Sequence, residues 1–439
     1  PRAYLNMGRL FLLMGDPYES LAYYAKAIHF CIARDVCVPH DLFDREIEFL
    51  TRINRARQLP PEHVWVDRMI RLGKAVKTNN AKATPDIVKL RKRKKPFDQP
   101  VVIVAGGADP SIQARMDEYR GLLDAALRGF KGTVISGGST AGVPGLVGTL
   151  AWEYSKEKTK QFQTIAYLPK FLPYDAPKDE RYDDLIILND GNGFTPREPL
   201  QNWIDLLCAD VNPSDVRVLG INGGSVAAFE YQLALAMGAT VGVIESSGRA
   251  ASDLRRDSEH WAGTNLVQLP EDPMSIRAFV QKAVPETIEP DQLEQMAKRI
   301  HEKYVEDNKH RTADPSMLPW PDLPEGLKES NRQQAVCIQK ILRSAGYAVR
   351  QAGGEGAVTV TTFSTDEVES MAEMEHGRWN VERLKAGWKY GPTRDPQNKV
   401  SPFLKPWSQI PDDVKQYDRK AVRDWFVVLR DAGLEIYRP

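Results

Sequence analysis

The chain has no excess of charge of either sign: 59 lysines and arginines face 59 aspartates and glutamates. A balanced surface offers no bulk attraction for a polyphosphate, which argues against a dedicated nucleic-acid coat. No apolar run approaches the ~18–20 residues of a membrane span, so channel and transporter functions are excluded for this segment. Cysteine is scarce: Cys31, Cys37, Cys208 and Cys337 form no CxxC pair, and the seven histidines show no HExxH spacing. A disulfide scaffold, a zinc site or any other metal centre is therefore not expected, and a reducing cytosol fits best. No secretory leader is visible and the first residue is Pro1 rather than Met, so unseen sequence is expected before it.

What is present falls into several textures. At 439 residues about three domains are expected, from a prior of ~150 residues each. Residues 1–75 read as helical. Gly8, Phe11, Gly15, Tyr23, Tyr24, Ala27 and Ile28 recur at the spacing of two packed antiparallel helices, with small residues at the crossing. Leu42, Ile47, Leu50, Ile53, Val64, Met69 and Leu72 continue the pattern. The first stretch resembles one tetratricopeptide repeat, with Gly8, Gly15-Asp16 and Lys26-Ala27-Ile28 in register and Ser20 where alanine is usual. A single repeat cannot bury its own faces, so the tail of a longer helical array is expected, with a plain hairpin as the alternative. Residues 76–98 hold Asn79, Asn80, Pro85 and the run Arg91-Lys92-Arg93-Lys94-Lys95. A solvated basic linker is the favoured reading, over a patch for nucleic acid or membrane.

From 99 to 283 short apolar runs alternate with helical periods: PVVIVAGG, GTVISGG, TIAYLP, DLIILND, RVLGINGG and TVGVIESS are strand candidates. Strands buried on both faces with helices between them predict an α/β fold, a doubly wound, parallel, Rossmann-like sheet. Four glycine-rich turns end four strands: Gly106-Gly107, Gly137-Gly138-Ser139-Thr140, Gly223-Gly224-Ser225 and Ser246-Ser247-Gly248-Arg249. Ligands bind at that edge of open α/β sheets. Bare backbone amides and helix N-termini suit phosphate, the Ser and Thr hydroxyls add donors, and Arg249 can grip a phosphate in bidentate fashion. Asp109 reads as an N-cap or a ribose partner, Cys208 as core, and His260 and Trp261 as helix-end packing.

SGGSTAGVPGLVG, INGGSVAAFE and IESSGRAASDL together resemble the SLOG superfamily, which joins the lonely guy phosphoribohydrolases to the N-terminal region of melastatin-type TRP channels. The Ser247-Gly248-Arg249-Ala250-Ala251 segment favours the channel-type branch. What that resemblance implies is binding of an ADP-ribose-like ligand without cleavage, through the glycines above with Ser139, Thr140, Arg197, Ser225, Ser247 and Arg249. The enzyme branch carries PGGxGTxxE. Here Gly223, Gly224 and Glu230 are kept, whereas Val226 and Ala227 replace the glycine and threonine. Glu230 and Arg197 are then the catalytic candidates if the chain is an enzyme. Otherwise Glu230 is a first-turn acid and Arg197 a surface ion-pair member.

The last third is a repeat: residues 296–304 parallel 371–379, and 315–336 parallel 401–422. Trp320 maps to Trp407, Arg332 to Arg419 and Gly346 to Gly433. The second copy, 364–439, resembles the RyR domain in His376, Trp379, Arg383, Gly387-Trp388, Tyr390-Gly391, Asp395, Lys399, Pro402, Pro406-Trp407 and Asp418-Arg419. The first, 290–349, keeps His301, Tyr304, Pro319-Trp320 and Asn331-Arg332 but lacks the GWxYG loop. Trp379 and Trp407 read as core, with base sandwiching as the alternative; Trp388, Tyr390 and Arg394 are candidates for a ligand or partner surface. The joint arrangement predicts a cytoplasmic sensory region that binds a nucleotide-derived messenger, ADP-ribose-like or cyclic, with no other cofactor. The RyR-like modules and helical repeats would relay it to a protein partner or fused effector, and self-association into a homo-oligomer is compatible with it. In bacteria the resemblance implies stress or antiphage signalling. The alternatives are a nucleoside monophosphate phosphoribohydrolase and an interaction scaffold with a vestigial pocket.

Overall fold

A computed structural model describes residues 1–33, 41–57, 59, 61–78, 85–107, 114–188, 192–256, 261, 265–281, 288–309, 314–354 and 358–439. Cys37, Asp109 and His260 lie outside the described residues. The chain divides into two compact units, Pro1–Glu271 and Asp272–Pro439.

The first unit begins with helices α1 (Arg2–Leu13), α2 (Pro17–Ala33), α3 (Leu42–Arg57), α4 (His63–Lys77) and the short α5 (Pro85–Leu90). Then come β1 (Val101–Gly106), α6 (Met116–Leu127), β2 (Lys131–Ser136), α7 (Gly142–Lys156), β3 (Gln161–Leu168), β4 (Asp184–Ile187) and α8 (Arg197–Cys208). It closes with β5 (Arg217–Ile221), α9 (Ser225–Met237), β6 (Thr240–Ile244), α10 (Arg249–Arg256) and β7 (Leu266–Leu269). The seven strands form one sheet in the order β4-β3-β2-β1-β5-β6-β7, every neighbour pair parallel. The fold is α/β and Rossmann-like, as the apolar runs predict. Strand residues alternate between faces, and here both faces are buried. Val101, Ile103 and Ala105 join the same core as Trp203, Leu233 and Ala234, while Val102 and Val104 are also fully buried.

That core runs on without a gap into Leu21, Tyr24, Ile28, Met69 and Ile70 of the N-terminal helices. Helix α2 lies parallel to α9: Tyr18 is hydrogen-bonded to Ser225 at one end, and His29 Nδ1 stands 3.2 Å from the Leu235 carbonyl at the other. Helix α4 packs on both α8 and α9. The helical array thus finds its cover within this unit, on the α8 and α9 face of the sheet.

The basic run is solvated at Lys92, Lys94 and Lys95, which are exposed, but it is tied down at its centre. Buried Asp205 of α8 accepts the backbone N–H groups of Lys92 (2.8 Å) and Arg93 (3.0 Å), together with the Tyr167 hydroxyl (3.0 Å). The Arg93 side chain is buried as well, donating to the Pro96 carbonyl and Gln163 and paired with Asp184. A carboxylate removed from water needs such donors, and the strap supplies them.

The second unit contains α11 (Pro273–Val280), α12 (Pro290–Asp307), α13 (Glu325–Ser344), β8 (Ala348–Gln351), α14 (Thr365–Lys385), β9 (Lys389–Tyr390), β10 (Val400–Ser401), α15 (Asp412–Asp431) and β11 (Leu434–Tyr437). The two repeats share one core rather than folding as separate modules: Met296, Ile338 and Leu342 cluster with Met371, Val422 and Trp425. Strands β8 and β11 pair antiparallel, with Val349 opposite Ile436 and Arg350 opposite Glu435. Under the repeat's own shift Val349 corresponds to Ile436, so a pseudo-twofold axis passes between them.

The copies repeat their bonds. His301 Nε2 meets the Leu318 carbonyl at 2.7 Å, and His376 Nε2 meets the Lys405 carbonyl at 3.0 Å. Arg332 binds Glu294 and Arg419 binds Glu369, each through Nε, at 2.7 and 2.6 Å.

Candidate functional site

All strands of the large sheet run parallel, so their carboxyl ends share one edge. The strand order reverses between β1 and β5, the position at which open α/β sheets form a binding crevice. The four predicted turns follow adjacent strands β2, β1, β5 and β6, and the structure brings them to that single edge.

At the centre β1 and β5 approach too closely for side chains. A Cβ on Gly106 would fall 2.7 Å from the Ile221 carbonyl oxygen, and one on Gly107 2.9 Å from Asn222 Oδ1. Gly223 has φ +106°, and a Cβ there would meet that of Ala227 at 2.4 Å; a left-handed turn this tight requires glycine. Gly224 caps α9 with no side-chain cap of its own. Arg249 adopts φ +51° and sets its Nη2 3.5 Å from where a Gly224 Cβ would lie. A guanidinium is thereby held over the amino end of α9, where the helix dipole and unpaired amides favour an anion. A non-glycine residue in the left-handed region carries ~1 kcal/mol or more of strain, which persists where its surroundings impose it.

Sequence reasoning passed over Asn222, which ties the β5 turn to the β6 turn. Its N–H donates to Ser247 Oγ (2.6 Å), its Nδ2 donates to the Ser247 carbonyl (2.6 Å), and its Oδ1 accepts the Gly223 N–H (2.7 Å). Its φ of +57° is a left-handed value that asparagine tolerates better than most residues. The Ser247 hydroxyl donates to the Ile244 carbonyl, so this predicted ligand donor is a structural latch. Ser246 likewise donates to Glu271 Oε1 at 2.6 Å. Gly248, with φ +85°, stands beside Asn222 Nδ2.

The β2 turn sits at the same edge but under cover. The Thr140 N–H donates to the Pro177 carbonyl and the Asp179 N–H to the Gly138 carbonyl, both at 2.9 Å. Gly138 and Ser139 are buried, the Ser139 hydroxyl turns to the Ala141 carbonyl, and a Cβ on Gly138 would strike Ala166. Gly137 is half-buried and Thr140 exposed. The crevice proper is therefore built from the β1, β5 and β6 turns.

Two helix N-termini, those of α9 and α8, lie beside it. Ser225 opens α9 and is hydrogen-bonded to Tyr18 of α2; Arg197 and Glu198 open α8. Glu198 is buried, its Oε2 accepting the Thr195 N–H at 2.8 Å while its Oε1 has no partner among the described residues. Burial pushes its carboxyl up to about 7, against the hydrogen bonds from Thr195. Glu230, half-buried on α9, is also raised to about 7 by burial. Two carboxyls that gain and lose protons near neutrality thus belong to the helices that start at the crevice.

In the second unit Trp407 is core, with Nε1 donating to Glu369 at 3.0 Å, and Arg419 is bound by Glu369 and Asp412. Trp379 stacks with His376, ring centroids 5.8 Å apart. Lys399 donates to the Ala386 carbonyl at 2.9 Å. The remaining candidates gather around the loop: Arg383 lies over Trp388 (5.3 Å), Lys405 over Tyr390 (5.5 Å), and Arg394 lines an open depression with Pro392, Asp395 and Gln397. Tyr390 is 56% exposed.

Fold and edge geometry define the class: a doubly wound α/β protein with glycine-rich turns at the switch point of its sheet, carrying a second, mainly helical unit with internal twofold repetition. The RyR domain family matches residues 356–438. Among solved structures the chain is similar to the molybdenum cofactor carrier protein of Chlamydomonas reinhardtii, at 20% identity over 41% of this chain and 94% of that one, with a TM-score of 0.28. No described helix is long and apolar enough to cross a membrane.

Proposed function

We propose that the crevice is a SLOG-like receptor for a nucleotide-derived messenger, ADP-ribose-like or cyclic, and that the RyR-like unit and the tetratricopeptide-like helices pass its occupancy to a protein partner or effector. In a bacterial host this is a role in stress or antiphage signalling. The observation that carries the reading is the placement of Arg249 over Gly224 at the start of α9, beside Gly223, where no side chain fits. A phosphate there would receive backbone N–H donors, the positive helix end and a guanidinium together.

The test is calorimetry with ADP-ribose, cyclic ADP-ribose and cyclic dinucleotides on wild type and Arg249→Ala. One of these ligands is expected to bind wild type, and the variant to bind it roughly 10-fold or more weakly, as losing a charge-assisted pair implies, with an unchanged melting temperature. Absence of binding by every nucleotide would end the receptor reading.

A hydrolytic reading is favoured by one observation of its own: Glu230, the residue matching the glutamate of the enzyme branch, is held near neutral pH, where general acid–base chemistry works. Release of free base from AMP, lost in Glu230→Ala, would support it; intact nucleotide after long incubation would reject it.

A further inference from the structure

Residues 383–405 of the second unit carry six lysines and arginines and one carboxylate, Asp395. That carboxylate is already engaged, its oxygens accepting the Asn398 N–H (3.1 Å) and Nδ2 (2.7 Å). None of Arg383, Lys389 and Lys405 forms an ion pair among the described residues. Arg383 lies between two indoles, 5.7 Å from the Trp379 ring centre and 5.3 Å from that of Trp388. Its Nε is buried with no hydrogen-bond partner among the described residues. A guanidinium stacked on aromatic faces keeps its N–H edge for an anion. Strand β9 follows at once, and among the described strands it pairs with β10 alone. In a parallel pair alternate residues of a strand turn their amides to the partner. Lys389 and Gly391 do so, donating to the Lys399 (2.9 Å) and Ser401 (3.3 Å) carbonyls. The N–H and C=O of Tyr390 therefore point to the open edge.

We propose that this edge docks an extended, acidic segment of a partner protein by strand addition. Trp388 and Tyr390 are two residues apart, so they share one face of the strand at a spacing of about 6.6 Å. Each ring carries a cation: Arg383 over Trp388 and Lys405 over Tyr390, at 5.3 and 5.5 Å. An added strand has the same two-residue period. Carboxylates at its alternate positions meet Arg383 and Lys405 in register while its backbone pairs with Tyr390. The main-chain bonds hold the segment and the two cations select its charge. A compact anion would engage one cation and leave the edge unpaired. Under the repeat's shift Asn308 stands in the first copy where the second has Arg383, and the first copy lacks the GWxYG loop, so the edge belongs to the second copy. That the docked segment carries the receptor's output rests on the proposed function; the docking edge itself stands on the second unit alone.

Fluorescence anisotropy of the full chain with a labelled ten-residue peptide of alternating Glu and Thr tests it without nucleotide. The peptide is expected to bind wild type, and to bind roughly 10-fold more weakly to Arg383→Gln and roughly threefold more weakly to Lys405→Gln, as a stacked and an exposed charge contact imply. Arg430→Gln, which removes an equal charge from an exposed position on α15, should bind as wild type does. A copy of the peptide N-methylated along its backbone keeps the charge but has no amide to donate, and is expected to bind roughly 10-fold more weakly. Absence of binding by the Glu-Thr peptide overturns the proposal, as does equal binding by Lys405→Gln, which decides should Arg383→Gln fail to fold. Equal binding of the N-methylated copy, or displacement of the peptide by equimolar inorganic phosphate, also overturns it, since either would mean a small-anion site rather than a strand edge. If the peptide binds while no nucleotide does in calorimetry, the proposed function fails and the docking edge stands.

Discussion

Gly148 shows how one missing side chain holds the cover of the β2 turn. A Cβ there would lie 2.0 Å from Asp179 Oδ2, and Asp179 is buried and bound by Arg181 through both oxygens, each at 2.7 Å. Gly148→Ala is expected to destabilise by about 1–3 kcal/mol, the cost of overpacking a site that cannot collapse elsewhere, and to loosen the loop over the β2 turn. Denaturant melts give the first effect and proteolysis at 169–183 the second.

The carboxyls near neutrality give a pH dependence of definite sign. Glu198 and Glu230 are both held at about 7 when folded, above the ordinary carboxylate range. The folded state therefore binds more protons than the unfolded one between the two values. Stability from this source is complete at lower pH and is lost as pH rises through about 7. Urea midpoints should decline over that window, and Glu230→Gln should remove its share. An unaltered slope in that variant would contradict the assignment.

At the scale of elements, much was legible because burial on both faces leaves an apolar run ending in glycine, and all six of the quoted runs are strands of the large sheet. Their glycines marked the right edge for the same reason: tight turns and close strands exclude side chains wherever they occur. The partners of polar groups were not legible. Ser246 and Ser247 read as ligand donors, yet their hydroxyls turn to Glu271 and the Ile244 carbonyl, and nothing local in the sequence marks a latch made with Asn222. The tie that holds the basic run was hidden in the same way, since its acceptor, Asp205, is more than a hundred residues distant. Asp205→Ala would leave two backbone N–H groups and a tyrosine hydroxyl without an acceptor, a loss of roughly 2–3 kcal/mol. Trypsin is expected to cut that variant first at residues 91–94, whereas uniform digestion would mean that the whole unit had unfolded.

On the scale of the whole molecule, the repeat was readable as a register of aromatic, proline and charged residues, but not as one shared core. Sequence periodicity reports that two segments are alike and is silent on whether each closes on itself. Here neither does: Val349 and Ile436 meet across the dyad, and the apolar residues of both copies fill one interior.

This has a consequence for how the unit responds to dissection. Each half shows the other the same surface it would show to its own twin. Cut away from the first copy, a 358–439 fragment loses its strand partner and half its interior, and the cheapest remedy is another molecule like itself. Sedimentation should find a symmetric pair, with Ile436 of one fragment opposite Ile436 of the next, whose melting point climbs with concentration. A fragment that stayed monomeric and fully folded at every dilution would show that the halves are self-sufficient after all.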